Sequence, residues 1–188
     1  MYTAQIGGVT VTIKESADLF SPLHADRGTL AMLSVVRPQT GMKALDLGCG
    51  CGIVGIYLSK VLGSGNVWMC DIDEKAVSAS KTNAAENGVS PTVVESDGLS
   101  SVTESGFDLI LSNPPYQSDF AVAKSFIEKG FNRLKTGGTM YMVTKRRAWY
   151  ENKLRAIFGG CKVYEIDGYF VFEAGKRSPF YANKEKKK

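Results

Sequence analysis

The 188-residue chain has one histidine, His24, and its four cysteines at positions 49, 51, 70 and 161 form no C-x-x-C pair and no zinc spacing. No metal is expected, and the cysteines read as reduced, small residues. A lone histidine in a loop with Pro22 reads as structural rather than as a general base. No apolar run approaches the length that crosses a bilayer. The start MYTAQIGGVT has no basic stretch followed by a hydrophobic core, so neither a membrane span nor a signal peptide is expected, and the protein is placed in the cytoplasm. Internal repeats and linker-like stretches are also missing. With 44% hydrophobic residues, one well-buried core in a single domain over residues 1–176 is expected, including an accessory segment to about residue 38.

The formal net charge of +4 is unevenly spread. Through Ala123 there are 7 Lys or Arg against 13 Asp or Glu; from Lys124 onward there are 16 against 6. That asymmetry favours a polyanionic partner held by the C-terminal part, the alternative being lysine-rich helix faces and a solvated basic tail over residues 177–188.

Val9 to Ile13 alternates apolar residues with threonine, as a half-buried strand does, and Gly7-Gly8 before it suits a short hairpin. Asp26 caps a helix to about Val36, stopped by Pro38. Further strands are expected at Ala44–Leu47, Asn66–Cys70, Pro91–Glu95, Phe107–Leu111 and Thr139–Thr144. Helices are expected at Ile53–Leu62, from Asp73 to about Asn87, at Asp119–Leu134 with Gly137-Gly138 as its stop, and at Trp149–Phe158. Asp167-Gly168 between Cys161–Ile166 and Tyr169–Ala174 is a two-residue hairpin signal, and Ser178 onward reads as tail.

The stretch Lys43 to Gly55, KALDLGCGCGIVG, is a buried strand, a glycine turn and a helix start whose backbone N–H groups are left free to hold a ligand. Gly50, Gly52 and Gly55 satisfy G-x-G-x-x-G, and Asp71 follows about twenty residues on, as in dinucleotide-binding units. A nicotinamide-dependent oxidoreductase is one reading. Asp46 opposes it, because a carboxylate ending the strand beside the turn repels a pyrophosphate. S-adenosylmethionine has no phosphate and carries an ammonium and a sulfonium that Asp46 attracts. Asp71 then accepts the ribose hydroxyls, Asp97 receives the adenine amino group and Gly98 allows close backbone approach. The plainer alternative for Asp46 and Asp71 is that each caps a turn.

At the end of the Phe107–Leu111 strand stands SNPPY, Ser112 to Tyr116. A conjugated amine is a poor nucleophile, and two acceptors, the Asn113 side-chain oxygen and the Pro114 carbonyl, can take its N–H bonds and turn its lone pair toward a methyl donor. Pro114 and Pro115 fix φ and supply no competing donor, and Tyr116 offers a flat face. The alternative is a simple turn after a buried strand. Lys145, Arg146 and Arg147 leave the carboxyl end of the next strand as candidates to hold substrate phosphates, or as a solvated helix start.

In order, LDLGCGCG, CDID and SNPPY resemble the class I S-adenosylmethionine-dependent amino-methyltransferases. Ala17 to Leu33, ADLFSPLHADRGTLAML, is similar to the lead-in of the small methyltransferase domain family, whose characterised members include ribosomal RNA guanine-N2 methyltransferases. The resemblance spans about Val9 to Glu173. It implies an α/β, doubly wound, Rossmann-like seven-stranded sheet, mostly parallel with an antiparallel last strand, and a small N-terminal strand or hairpin. It adds Gly48, Cys49 and Ile72 to Asp46, Gly50, Gly52 and Asn113 as cofactor contacts. It also lays the lead-in over the crevice, where Phe20 walls the substrate pocket or is plain core. The implied reaction is methyl transfer to an exocyclic amine of a base in RNA, foremost guanine N2 of ribosomal RNA. Protein glutamine amide or adenine N6 are alternative substrates, and a non-catalytic RNA-binding module is a lower-ranked reading. The extra, degenerate domain copy of many such enzymes is not in these residues, so specificity is expected from the lead-in, the basic C-terminal part or a homodimer partner.

Overall fold

The computed structural model describes residues 1–14, 25–115 and 120–185. The stretch from Ser16 to His24, expected from the sequence to be a loop and containing Phe20, lies outside the described residues, as do Tyr116 and Asp119.

Strands β1 (Tyr2–Ile6) and β2 (Val9–Ile13) form the expected hairpin, Tyr2 opposite Ile13, with Gly7 and Gly8 at positive φ in the turn. It is a separate two-stranded sheet. Helix α1 (Arg27–Val35) starts at Asp26, whose carboxylate accepts the Thr29 N–H at 2.7 Å. The main sheet then begins with β3 (Ala44–Leu47), α2 (Ile53–Leu62), β4 (Val67–Asp71), α3 (Glu74–Glu86) and β5 (Thr92–Glu95). It continues with β6 (Phe107–Ser112), α4 (Phe120–Arg133), β7 (Leu134–Thr144), α5 (Arg147–Phe158), β8 (Lys162–Ile166) and β9 (Tyr169–Gly175). A short α6 (Ala182–Glu185) follows. The order across the seven strands is β5-β4-β3-β6-β7-β9-β8. Strands β3 to β7 are parallel; β9 is antiparallel to both of its neighbours.

Both faces of this sheet are covered, which is why its strands are apolar without alternation. On β3, Ala44 joins Met69, Leu109 and Leu111 in a core with α1 and α2, while Leu45 and Leu47 join Ile110, Phe131 and Leu154 under α4 and α5. Asp46 shares the face of Ala44, so the strand period of two aims its carboxylate at the start of α2. Gly55 permits the close approach there. A Cβ on it would lie 2.5 Å from the Met69 side chain of β4.

Several local expectations are corrected. Asn66 belongs to a 3-10 turn rather than to β4, because its side chain donates to the Leu62 carbonyl at the end of α2 (2.8 Å). Gly137-Gly138 does not stop α4. It lies inside β7, where Gly137 N donates to Lys176 O at 2.7 Å and a Cβ on Gly138 would meet Phe107 O at 2.6 Å. The helix is closed instead by Lys176, a buried lysine whose ammonium donates to Phe131 O (2.8 Å) and Leu134 O (2.7 Å). Helix α5 starts at Arg147, ahead of Trp149. Ser178 onward is not all tail: Tyr181 packs edge-on against Phe131 with centroids 5.0 Å apart, and its hydroxyl donates to Glu128 O at 3.2 Å. Among the described residues no helix is long and apolar enough to cross a membrane.

Candidate active site

A cavity of about 460 Å³ opens at the carboxyl ends of β3, β4 and β6, where an open parallel sheet places its ligands. Its wall contains Asp46, Gly48, Cys49 and Gly50 from the glycine turn, Asp71 and Ile72 from the end of β4, Asp97 and Gly98 after β5, and Asn113, Pro114 and Pro115 after β6. These residues are scattered over 70 positions of sequence and share one space. Gly52 is not in the wall. It is the N-cap of α2, with φ 91° and no side chain to cap the helix.

The cap comes from Asp46. Its Oδ2 accepts the Gly55 N–H at 2.9 Å in the first turn of α2, and only 3% of the residue is exposed. The turn-capping and cavity roles, set out above as alternatives, therefore coexist. Burial pushes the Asp46 carboxyl up to about 7; the Gly55 N–H opposes the shift and the charge of Asp71 adds to it. A carboxylate so desolvated gains from a cation placed beside it.

Part of the turn's N–H set is already bonded within the chain. Gly48 N and Cys49 N donate to Cys70 O (2.9 and 3.0 Å), Gly52 N to Cys49 O (2.8 Å), and Gly50 N to Asp71 Oδ2 (2.9 Å). Carboxylates of the chain take two of the donors at this turn, Asp71 that of Gly50 and Asp46 that of Gly55. This makes the turn an acidic surface, unsuited to a dinucleotide's pyrophosphate and suited to a cationic ligand. Asp71 Oδ1 also accepts Asp73 N at 3.1 Å, while Asp73 caps α3. Burial raises the thiols of Cys49, Cys51 and Cys70, the last to about 12, so they line the turn as neutral small groups.

Beyond Asp71 the wall becomes apolar. Ile72 is 66% exposed, an unusual state for isoleucine, and shares the cavity with Val122 and Phe126 of α4. Val122 and Phe126 are absent from the sequence-based set. Their signal is an i, i+4 apolar pair beside the buried stripe of Ala123, Ile127 and Phe131. Together these side chains offer a slot for a flat ring, with Asp97 exposed at its edge.

At the other end, Ser112 anchors the end of β6 by donating to Leu47 O (2.7 Å). Asn113 follows. Its Nδ2 donates to Asp26 Oδ2 (2.8 Å) and to Thr29 Oγ1 (2.9 Å), and its Oδ1 is buried with no hydrogen-bond partner among the described residues. A buried acceptor left unpaired is costly in a folded chain and marks a place for a donor from outside. Asp26 and Thr29, also in the cavity wall, are further residues missed from sequence; Asp26 reads there only as a helix cap.

Lys145, Arg146 and Arg147 are exposed and do not line the cavity. They leave the same sheet edge, since Ser112 pairs with Met142 two residues before Thr144. Each cation lies over a ring: Lys145 over Tyr169 at 5.0 Å, Arg146 over Phe120 at 5.2 Å and Arg147 over Phe170 at 5.7 Å. Phe120 in turn stacks on Trp149 at 4.4 Å. Arg27, next to Asp26, adds a cation 3.8 Å from Asp167 in the β8–β9 turn.

A cation-seeking crevice on this sheet order places the chain in the class of Rossmann-like methyltransferase folds. Residues 10–173 match the model of the methyltransferase small domain, and the chain belongs to that family. It is 33% identical over 164 residues to the ribosomal RNA small subunit methyltransferase C of Cronobacter sakazakii, covering 85% of this chain and 48% of that protein. The corresponding Escherichia coli protein is 32% identical over 164 residues, with coverage of 85% and 48%. Among solved structures, the T. thermophilus 16S rRNA N2 G1207 methyltransferase, in complex with AdoMet and guanosine, superposes with a TM-score of 0.85 at 27% identity. That match covers 94% of this chain and 50% of the other. The chain thus spans about half the length of the relatives it matches.

Proposed function

We propose that the chain is an S-adenosylmethionine-dependent N-methyltransferase that modifies an exocyclic amine of a base in RNA, with guanine N2 of ribosomal RNA as the target. The observation that carries this reading is the buried Oδ1 of Asn113, unpartnered among the described residues, in the cavity wall that also contains Asp46.

The residues present fit the cofactor. Asp46 faces the ammonium end, Asp71 accepts ribose hydroxyls through lone pairs that the Gly50 and Asp73 N–H groups leave over, and Ile72, Val122 and Phe126 enclose the adenine, with Asp97 for its amino group. S-adenosylmethionine, when bound, supplies an electrophilic methyl whose C–S bond breaks toward sulfur as the substrate nitrogen takes the carbon. Asn113 Oδ1 and the Pro114 carbonyl accept the two N–H bonds of the amine and turn its lone pair out of the ring's π-system. Pro115 holds that carbonyl in place, and Tyr116 is assigned the ring-stacking role. Once methylated, the nitrogen is cationic and loses its proton to water, so alignment and electrostatics carry the step.

The rim suits RNA. Lys145, Arg146 and Arg147, braced on aromatic rings, and Arg27 near the cavity mouth are positioned to hold phosphates while the target base leaves its stack for the cavity. By resemblance to the family, Phe20 is a candidate contact for that base.

Ribosomal RNA and protein from cells with and without the chain, digested to nucleosides and amino acids and weighed, test the proposal. Loss of N2-methylguanosine supports it. Loss of N6-methyladenosine or of methylglutamine instead moves the same chemistry to another planar nitrogen, and no change in any of them refutes the reading.

A further inference from the structure

The Asn113 side chain is useful only with its oxygen toward the substrate, and an amide's two ends are nearly the same size. Presented the other way, the NH₂ would meet the N–H bonds of the incoming amine. Two residues decide the orientation. Asp26 Oδ2 and Thr29 Oγ1 take both Nδ2 hydrogens, at 2.8 and 2.9 Å, and Thr29 is only 5% exposed. Rotating the amide would set Oδ1 against a carboxylate and a hydroxyl and leave both Nδ2 hydrogens without these acceptors.

Resting on the proposed methyl transfer, we infer that Asp26, assisted by Thr29, is a positioning and polarising residue that acts through Asn113. A carboxylate that pulls on the N–H end of an amide makes its oxygen a stronger acceptor, because hydrogen bonds in a chain polarise one another. The same negative charge lies one group behind a nitrogen that becomes positive as it takes the methyl. Its attraction therefore grows from bound substrate to transition state, and an interaction that grows in this way raises kcat more than it lowers KM. Asp26 is itself held in place: the Oδ2 that accepts from Asn113 also accepts Thr29 N at 2.7 Å, at the start of α1. The helix that carries Thr29 and the cap that begins it thus form one unit aimed at the reacting end of β6. The assignment draws on residues 87 and 84 positions away from Asn113.

The test uses Asp26→Asn, which keeps an oxygen for the helix cap while removing the charge, and Thr29→Val, which removes one acceptor and leaves Asp26 untouched. Single-turnover rates are measured on ribosomal RNA from cells lacking the chain, together with KM for that RNA and the dissociation constant of S-adenosylhomocysteine. Asp26→Asn is expected to slow transfer about 10- to 100-fold and Thr29→Val about 3- to 10-fold, with KM and S-adenosylhomocysteine affinity within about threefold of the parent. Thr29→Ser should recover most of what Thr29→Val loses. Two results overturn the inference: parental rates in both variants, or slowing matched by equal weakening of KM or S-adenosylhomocysteine binding, which is what a merely structural cap would give. Asn113→Ala in the same assay separates this inference from the reading beneath it. If that variant still turns over, methyl transfer through Asn113 is wrong; if it is inactive while Asp26→Asn and Thr29→Val keep parental rates, only the role of Asp26 falls.

Discussion

The two ends of the cavity treat their polar groups in opposite ways. At the glycine turn, Gly48, Cys49, Gly50, Gly52 and Gly55 have their N–H groups bonded within the chain, two of them to Asp71 and Asp46. At the Asn-Pro-Pro end, a buried oxygen has no donor among the described residues. Under the proposed function, the difference separates holding from reacting: the turn offers a ligand shape and negative charge, whereas Asn113 offers an acceptor to an incoming donor.

The sharpest way to break this contrast is Asn113→Ala. Loss of an acceptor used at the reacting nitrogen should lower turnover by about 1,000-fold, while S-adenosylhomocysteine binding, measured by calorimetry, stays within about threefold. Equal loss of both would mean that the two ends are not distinct.

A smaller effect is expected from Lys145→Ala, Arg146→Ala and Arg147→Ala combined. Removing up to three phosphate contacts should weaken RNA binding about 10- to 100-fold and reduce the slope of log affinity against log salt by about 1 for each contact made. S-adenosylhomocysteine binding should not change. An unchanged salt slope would return these residues to a solvated helix start.

The third effect is pH dependence at the turn. Asp46 has a folded-state pKa raised to about 7 from a usual 3.8, so its neutral form is the one the unliganded fold favours. Its contribution to stability is complete below the unfolded value and is lost as pH rises through about 7. Binding runs the other way, because an ammonium requires the ionised form. S-adenosylhomocysteine affinity should therefore rise about tenfold between about pH 6 and about pH 8, with proton release at the lower pH. Asp46→Asn should flatten both the Tm profile and the affinity profile. A binding profile already flat in the parent would show that Asp46 does not meet the cation.

The smallest effect sharpens the comparison at the backbone. Gly55→Ala puts a methyl 2.5 Å from the Met69 side chain and should cost about 1–3 kcal/mol by overpacking, read as a lower denaturation midpoint. Because the same residue supplies the N–H to Asp46, S-adenosylhomocysteine binding should weaken severalfold while RNA binding holds.

Much of the fold was legible because its signals are local. Apolar runs bounded by glycine marked β3 and β6, and Asp167-Gly168, both at positive φ, marked the last hairpin. The glycine turn, Asp46, Asp71 and Asn113 could be picked out as candidates because their order along the sheet brings them to one end of it, and the structure gathers them in one cavity wall. What escaped was contact between distant stretches. Lys176 closing α4 and Asp26 reaching Asn113 leave no local pattern, and the i, i+4 pair of Val122 and Phe126 does not say that it meets Ile72, since each depends on how the finished sheet stacks its layers. Gly137-Gly138 misled for a related reason: a glycine pair usually ends a helix, but here the demand came from Phe107 O of β6 and from the backbone of Lys176.

The place of β9 has a consequence for how the molecule is born on the ribosome. Of the seven strands described, β9 comes last along the chain yet sits sixth across the sheet, between β7 and β8. Until it emerges, β7 presents a naked edge, β8 has no neighbour to join, and α4, which contributes Val122 and Phe126 to the cavity, lacks the lysine that seals its end. A nascent chain halted before Tyr169 would therefore carry every residue of the glycine turn and the Asn-Pro-Pro stretch yet hold them on an unfinished frame.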